Sequence, residues 1–210
     1  MVQATSSAAG QSRWPRMSYE DYLCDPTIPA HTEWVDGEVV EMMSVSKAHA
    51  EMLDFLLELF HTFFRHSRPG RIYQDPFNMK TAAGLPGRAP DLMFVKTENL
   101  PRVTDKHLAG PADLAIEIIS EGTGHVDRGA KFYEYQAGGV REYWIIDPVR
   151  ELAEFHVLDD AGVFRAALGP EDGVFESTVV EGLSLRVEWL WSRPPGNEIE
   201  AELVSGLHRA

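Results

Sequence analysis

The sequence is poor in cysteine and has no long apolar run, and both features narrow the class of protein. Its one cysteine, Cys24, cannot form a disulfide within the chain of 210 residues. This fits a reducing cytoplasm, where we expect the protein to act. No apolar run approaches the ~18 residues of a membrane span, so we expect no membrane association. Residues 1–16 carry Arg13 and Arg16 but lack the apolar segment of a secretory signal.

Basic residues are also scarce. Lysine and arginine number 19 against 33 aspartates and glutamates, which gives a formal net charge of −14. This excess of negative charge disfavours broad, non-specific binding to a polyanion such as nucleic acid. A local site for nucleic acid stays open, because a basic groove or a bound metal ion can reverse the electrostatic field nearby.

The remaining composition is typical of one globular domain. With 44% hydrophobic and 25% charged residues, the chain can bury a core of ordinary size. We predict a folded domain over residues 17–192, preceded by a flexible tail over residues 1–16. Pro194 and Pro195 indicate the end of the domain, and we predict a polar tail over residues 193–210.

Turn and cap residues divide the domain into short elements. Ser18 and Ser46 are placed to cap two helices, the second of which extends to about residue 66. Asp36-Gly37 is a signal for a hairpin turn between two strands. Residues 82–89 and 97–110 are predicted to be loops. We also predict a helix over residues 126–137 and strands over residues 71–81, 92–95, 113–119, 142–147, 152–158, 163–168 and 174–180.

The order of these elements predicts the fold class. The helical connection between residues 113–119 and 142–147 has the length of a βαβ unit, so we predict these two strands to be parallel. The other strands follow one another more closely, as antiparallel strands do. We therefore predict an α/β (α+β) fold, in which helices flank a mixed β-sheet that continues into a C-terminal β-meander.

One carboxylate, Glu117, lies inside the apolar run of the strand at residues 113–119. A buried strand rarely carries an unpaired carboxylate, because removing a charge from water is costly. Glu117 therefore needs a cation or a metal ion as its partner. Lys131, on the following helix, can supply that charge as a structural salt bridge, and Tyr135 is assigned to the core.

A second carboxylate, Asp91, begins the short strand at residues 92–95. If its strand neighbours that of Glu117, the two carboxylates share a face and raise each other's pKa. A divalent cation removes this repulsion, and hard oxygen ligands suit Mg²⁺ or Mn²⁺. Lys131 is then placed to polarise a phosphate or to hold an attacking water. In the alternative interpretation, Asp91 only caps a turn after Pro90.

Taken together, several motifs resemble the bacterial Uma-type "putative restriction endonuclease" family, which is similar to the PD-(D/E)XK nuclease superfamily. The resemblance extends over about residues 17–191. The matching stretches are Pro90-Asp91, residues 113–120, Asp127 with Lys131, and residues 139–148. Residues 33–38 and Ser46 with His49 also resemble the family's N-terminal part.

The resemblance implies a restriction-endonuclease-like fold with Asp91 and Glu117 as ligands of Mg²⁺ (or Mn²⁺). Two residues after Glu117 the superfamily usually has a lysine, where this chain has Ile119, so Lys131 is the implied substitute. The resemblance also implies a catalytic role for an acidic residue near the N-terminus. Glu38 is the match, and Glu33 is the other candidate.

The implied activity is that of a metal-dependent endonuclease that hydrolyses phosphodiester bonds of DNA as a homodimer. Two alternatives remain open. The chain could be a catalytically silent nuclease-fold protein that binds nucleic acid or a protein partner, or a metal-dependent hydrolase of small phosphate esters. The choice between DNA and RNA, any recognition sequence and the biological role are not determined by these motifs.

Overall fold

The computed structural model describes residues 13–167 and 173–207. In chain order its elements are α1 (Tyr19–Cys24), β1 (Thr32–Val35), β2 (Glu38–Glu41), α2 (Lys47–His66), β3 (Gly70–Gln74), β4 (Asn78–Lys80), β5 (Gly87–Arg88), β6 (Leu92–Lys96), a 3₁₀ helix (Thr97–Arg102), β7 (His107–Ala109), β8 (Leu114–Ile118), α3 (Gly124–Val126), a π-helical turn (Asp127–Lys131), α4 (Phe132–Gly138), β9 (Glu142–Asp147), β10 (Leu152–Leu158), β11 (Phe164–Ala166), β12 (Val174–Glu176), β13 (Ser184–Arg186), α5 (Trp189–Ser192) and α6 (Gly196–Leu207). Within this described part of the chain, no helix is both long and apolar enough to cross a bilayer.

A six-stranded sheet forms the centre of the fold, in the order β11-β10-β9-β8-β6-β3. β8 and β9 pair in parallel, as the length of their connection predicts, and the other neighbours pair antiparallel. We call the segment that connects β8 to β9 the crossover helix; it comprises α3, the π-helical turn and α4 (residues 124–138). A second sheet has the order β2-β1-β5-β4-β7, and β12 pairs with β13 in a third. The predicted mixed β-sheet with flanking helices is confirmed.

The central sheet is buried on both faces. Successive residues of a strand point to opposite sides. In β6, Leu92 and Phe94 pack with residues of α2 and α6 in one core cluster. Met93 and Val95 pack on the other side, in a cluster that includes Tyr135 of the crossover helix. Any charged side chain on this second face must therefore find its partners within the protein.

The cap at Ser46 and an apolar stripe predict a long helix, and the structure has it at Lys47–His66. The Ser46 hydroxyl accepts a hydrogen bond from the backbone amide of His49, which satisfies one of the free donors at the helix start. The fully buried members of the stripe are Met52, Leu56, Leu59, Phe60 and Phe63. This packing holds the first turn of α2 close to the ends of the central strands.

The hairpin turn at Asp36-Gly37 also has the predicted form. Asp36 and Gly37 have φ values of 51° and 91°, as a two-residue turn that matches the twist of its strands requires. The register pairs Glu33 with Val40 and places Glu38 directly after the turn, opposite Val35. Glu33 therefore lies within the hairpin, and Glu38 lies at its turn end.

The predicted strand over residues 71–81 is two strands in different sheets. β3 belongs to the central sheet, and β4 belongs to the second sheet. The chain changes sheets at Asp75-Pro76, where the proline has no amide hydrogen to continue a ladder. The two predicted loops also contain regular structure, because residues 82–89 include β5 and residues 97–110 include the 3₁₀ helix and β7.

The C-terminal half departs from the predicted meander. β10 and β11 extend the central sheet, but β12 pairs only with β13 in the separate two-stranded sheet. Residue 168, at the end of one predicted strand, lies outside the described residues. Residues 184–186 form β13, and residues 189–192 form α5.

The prediction of a polar tail over residues 193–210 is wrong for residues 196–207. These residues form α6, which packs against α2 with Ile199 and Leu203 in the main core cluster. These two apolar residues are spaced by four, so they lie on one helical face. Residues 208–210 lie outside the described part of the chain. At the other end, residues 1–12 of the predicted tail lie outside the described part of the chain. Arg16, the last residue of that predicted tail, bonds Glu38.

Candidate active site

Asp91 and Glu117 lie opposite each other on neighbouring strands. The register of β6 and β8 pairs Leu92 with Ile116 and Met93 with Ala115. The next pair in this register, which we call the next rung of the sheet, is Asp91 and Glu117. Directly opposite residues of an antiparallel pair share a face. The backbone amide of Ile118 donates a 2.6 Å hydrogen bond to Asp91 Oδ2, which fixes the carboxylate at the strand end. The predicted convergence of the two carboxylates is present.

Glu117 is buried and has two partners. Lys131 Nζ lies 2.9 Å from its Oε2, and the hydroxyl of Tyr135 donates a 2.7 Å hydrogen bond to its Oε1. Burial raises the pKa of Glu117 well above its usual value, and Lys131 only partly offsets this because Asp127 and Asp91 are also close. Glu117 is therefore held by one cation and one hydroxyl donor, and two further carboxylates lie close to it.

Lys131 reaches Glu117 from the π-helical turn of the crossover helix. Its Nζ also lies 3.4 Å from Glu33 Oε1 and 3.4 Å from Asp127 Oδ1. Burial alone lowers the pKa of Lys131, but these carboxylates together raise it above its usual value. The lysine is therefore charged, and it is held in the middle of an acidic cluster. Wide turns of this kind occur often at functional sites, where they redirect side chains.

Glu33 occupies the place that the resemblance assigned to Glu38. Glu33 Oε2 lies 2.7 Å from Arg88 Nη1, and its Oε1 accepts a hydrogen bond from the amide of Ala89. Burial raises the pKa of Glu33, but Lys131 and Arg88 lower it by more than burial raises it. The net shift of the pKa is therefore downward. Glu38 is half exposed and lies 3.1 Å from Arg16. The structure does not bring Glu38 into the cluster.

Arg88 connects this cluster to the crossover helix. Its Nε and Nη2 bond the two oxygens of Glu134 at 2.7 and 2.8 Å. The paired geometry fixes the guanidinium plane, so Arg88 holds Glu33 rigidly against Lys131. Arg88 comes from the two-residue strand β5, in a segment that the sequence predicts to be a loop.

His49 reaches Asp91 from the first turn of α2. Its Nε2 lies 3.1 Å from Asp91 Oδ1, and its Nδ1 lies 3.0 Å from the hydroxyl of Ser120. The ring is almost completely buried, with 5% of the side chain exposed. His49 therefore contributes both a backbone donor to the Ser46 cap and a side-chain contact to the predicted metal ligand.

These groups line one cavity of about 480 Å³. The acidic residues of its wall are Glu33, Glu41, Asp91, Glu117, Glu121 and Asp127, and the basic ones are Arg88 and Lys131. Among the residues that the structure describes, no three His, Cys, Asp or Glu side chains converge as a ready-made metal site. Two carboxylates and backbone oxygen, however, are hard donors that suit Mg²⁺ or Mn²⁺. Burial and the neighbouring carboxylates raise the pKa of Glu117, so a further cation beside this carboxylate would favour its charged form.

Several members of this site carry weak sequence signals. Arg88 lies in a loop-like segment, and Tyr135 is indistinguishable from a core aromatic. Glu33 is signalled only as the alternative to Glu38, and alternation in a short hairpin does not separate the two. The sequence indicates such residues in one way, because the buried carboxylate Glu117 needs partners. Only the tertiary contacts identify which residues these partners are.

The fold is that of a known nuclease-like structure. The chain aligns with the crystal structure described as "a putative nuclease belonging to DUF820 from Anabaena variabilis ATCC 29413" with a TM-score of 0.67 and 15% sequence identity, covering 84% of this chain and 98% of that one. The family model of Uma2, described as "Putative restriction endonuclease", matches residues 19–188. The chain belongs to the Uma2 family. A comparison with curated proteins finds no match.

Proposed function

We propose that this protein is an endonuclease that hydrolyses DNA phosphodiester bonds with Mg²⁺ or Mn²⁺. The observation that carries the proposal is the pairing of Asp91 and Glu117 on one face, at the wall of the cavity, with the charged Lys131 at 2.9 Å from Glu117. The family description "Putative restriction endonuclease" and the description of the DUF820 structure as "a putative nuclease" support it.

In this proposal Asp91 and Glu117 hold the metal ion, and the Ile118 backbone adds an oxygen ligand at the same wall. When bound, such an ion lowers the pKa of water and neutralises charge on the phosphate. Lys131 supplies a further positive charge beside Glu117 for the phosphate. Glu33 positions the lysine, and we assign it this role in place of Glu38.

The experiment measures both metal binding and DNA cleavage. Calorimetric titration with Mn²⁺ and cleavage of supercoiled plasmid are compared in the wild type, Asp91→Ala and Glu117→Gln. We expect both variants to lose Mn²⁺ binding and cleavage together. Glu38→Gln is the matched control, because this carboxylate lies outside the cluster and is expected to leave both properties unchanged. Cleavage that survives Glu117→Gln would rule out the proposed site.

A second candidate is a nuclease-fold protein that binds DNA without cutting it. It is favoured by the contacts of Lys131, whose charge is already balanced by three carboxylates, and by the lack of three converging ligand side chains among the described residues. This candidate predicts DNA binding in the absence of Mn²⁺ binding. Hydrolysis of a small phosphodiester without plasmid cleavage would instead indicate a phosphoesterase.

The proposal includes a homodimer, because two paired subunits can cut both strands of a duplex at one place in a single binding event. Mass measurement by light scattering tests the dimer directly. A dimer predicts that linear plasmid forms along with nicked plasmid, whereas a monomer predicts nicked plasmid first.

A further inference from the structure

A histidine–aspartate pair lies beside the candidate active site, on the side opposite Lys131. His31 Nδ1 donates a 2.7 Å hydrogen bond to Asp75 Oδ2. The Asp75 side chain is 18% exposed, whereas that of His31 is 68% exposed. Asp75 Oδ1 is buried without a hydrogen-bond partner. A partly buried carboxylate thus holds an exposed imidazole, which is the arrangement that orients a histidine for proton transfer.

The sheet register places this pair in line with the metal ligands. β3 and β6 pair Gln74 with Leu92, so the next rung brings Asp75 to Asp91. The amide of Asp75 donates a 3.3 Å hydrogen bond to the carbonyl of Asp91, which confirms this rung. Asp75, Asp91 and Glu117 therefore stand side by side on three adjacent strands, with Asp91 in the middle.

A second cavity, of about 760 Å³, lies at the Asp75 end of this row of three carboxylates. It is lined by His31 and Asp75, and it shares Asp91, His49 and the segment at residues 42–45 with the first cavity. The segment at residues 42–45 thus lies between two parts of one groove. Glu117 and Lys131 line the first part, and His31 and Asp75 line the second.

Phosphodiester hydrolysis has a requirement that this arrangement meets. The attacking and leaving oxygens lie on opposite sides of the phosphorus, roughly in line. If a phosphate binds at Asp91 with the attacking water on the side of Glu117 and Lys131, in-line geometry places its leaving oxygen on the side of the second cavity. His49 is the other histidine there, but it is buried and both its ring nitrogens already contact Asp91 and Ser120.

We propose that His31, oriented by Asp75, is the general acid that protonates the leaving oxygen; this rests on the proposed nuclease function. The bond from water oxygen to phosphorus forms as the bond from phosphorus to the leaving oxygen breaks. Nε2 of protonated His31 gives its proton to the leaving oxygen. The attacking water releases its proton to solvent, and solvent restores the proton on His31. Asp75 acts as a positioning residue through Nδ1.

The test compares two DNA duplexes that differ at one atom. One carries the normal leaving oxygen, identified from the termini of the products, and the other has sulfur at that position. Sulfur leaves as a thiolate and needs no proton, so its departure does not depend on a general acid. Cleavage is measured in single turnover with Mn²⁺.

His31→Ala is expected to slow cleavage of the normal duplex by about 10²- to 10⁴-fold, the usual contribution of a general acid. The same variant is expected to cleave the sulfur duplex at the wild-type rate. Asp75→Asn should show the same pattern with a smaller loss. His66→Ala is the matched control, because His66 also pairs with a carboxylate, Glu200, at 2.8 Å but lies outside both cavities.

Two results would overturn the role of His31 while leaving the nuclease intact. The first is a wild-type cleavage rate of the normal duplex by His31→Ala. The second is an equal loss of cleavage rate on both duplexes, which would indicate that His31 only links its loop to the sheet. His31→Gln, checked by thermal melting, repeats the measurement if the alanine variant fails to fold. The wild type and Glu117→Gln report on the proposed function separately: if the wild type cuts neither duplex, that function is wrong and the role of His31 falls with it.

Discussion

Lys131→Met removes the positive charge at the centre of the acidic cluster while keeping most of the side-chain volume. In the wild type Nζ contacts Glu117, Glu33 and Asp127 within 2.9–3.4 Å, and the side chain is 7% exposed. Removing one partner of a buried ion pair costs about 3–5 kcal/mol, because the remaining charge is left without compensation. We expect a loss of this size in the free energy of unfolding, measured by urea denaturation.

The loss of stability in Lys131→Met should depend on pH. The pKa of Glu117 is already raised in the folded state, and without Lys131 it rises further. A carboxylate whose folded pKa is raised favours the fold while it is protonated and loses that contribution as pH rises through the folded pKa. The difference in stability between Lys131→Met and the wild type should therefore be smallest at acidic pH and grow towards alkaline pH.

A double variant separates structural from chemical roles. Lys131→Met with Glu117→Gln removes both charges, so it should be more stable than Lys131→Met alone, with a coupling of about 2 kcal/mol. Under the proposed function it should nevertheless remain inactive, because it lacks both a proposed metal ligand and the proposed phosphate contact. Lys47→Met, which removes an exposed partner of Glu51, is the control and should leave stability unchanged. A cost below about 1 kcal/mol for Lys131→Met, as at a surface pair, would refute the reasoning.

Three further predictions concern Glu33, Leu203 and Glu117. Glu33→Gln should lower the free energy of unfolding, measured by urea denaturation, by roughly 3 kcal/mol, because it leaves buried positive charge with fewer partners. Glu38→Gln, at the exposed end of the hairpin, should lower it by less than about 1 kcal/mol. Equal effects of the two variants would contradict the placement of these residues. Leu203→Ala should destabilise by about 2–5 kcal/mol in a thermal or urea melt, and an unchanged midpoint would show that α6 does not belong to the core. Mn²⁺ affinity, measured by calorimetry across a pH series, should rise with pH because binding must displace the proton that the raised pKa of Glu117 retains; an affinity independent of pH would exclude Glu117 as a titrating ligand.

Local chemistry was enough to predict the elements that form the frame of the site. Ser46 and its apolar stripe predict α2, because a cap and a helical period act within a few residues. Asp36-Gly37 predicts its hairpin for the same reason. Glu117 within an apolar strand predicts a buried carboxylate with partners, and the length of the β8–β9 connection predicts their parallel pairing.

Other features depended on contacts between residues far apart in the chain. The choice of Glu33 over Glu38 was decided by Arg88, which lies in a two-residue strand that has no periodic signal of its own. The core position of α6 was decided by its packing against α2, which covers the apolar face that carries Ile199 and Leu203. Local spacing can indicate such a face, but what covers it is a property of the assembled fold.

The sequence by itself determined the elements that carry a clear cap, turn or periodic pattern, such as α2, the β1–β2 hairpin and the β8–β9 crossover, and it determined that Glu117 needs a charged partner. Those properties arise from side-chain chemistry and short-range spacing. Only the tertiary structure decided that Asp75, Asp91 and Glu117 share one rung, and that Lys131 and His31 stand at its two ends. The physical reason is that strand register across a sheet joins residues separated by tens of positions, and electrostatic coupling acts over the distances that this register creates.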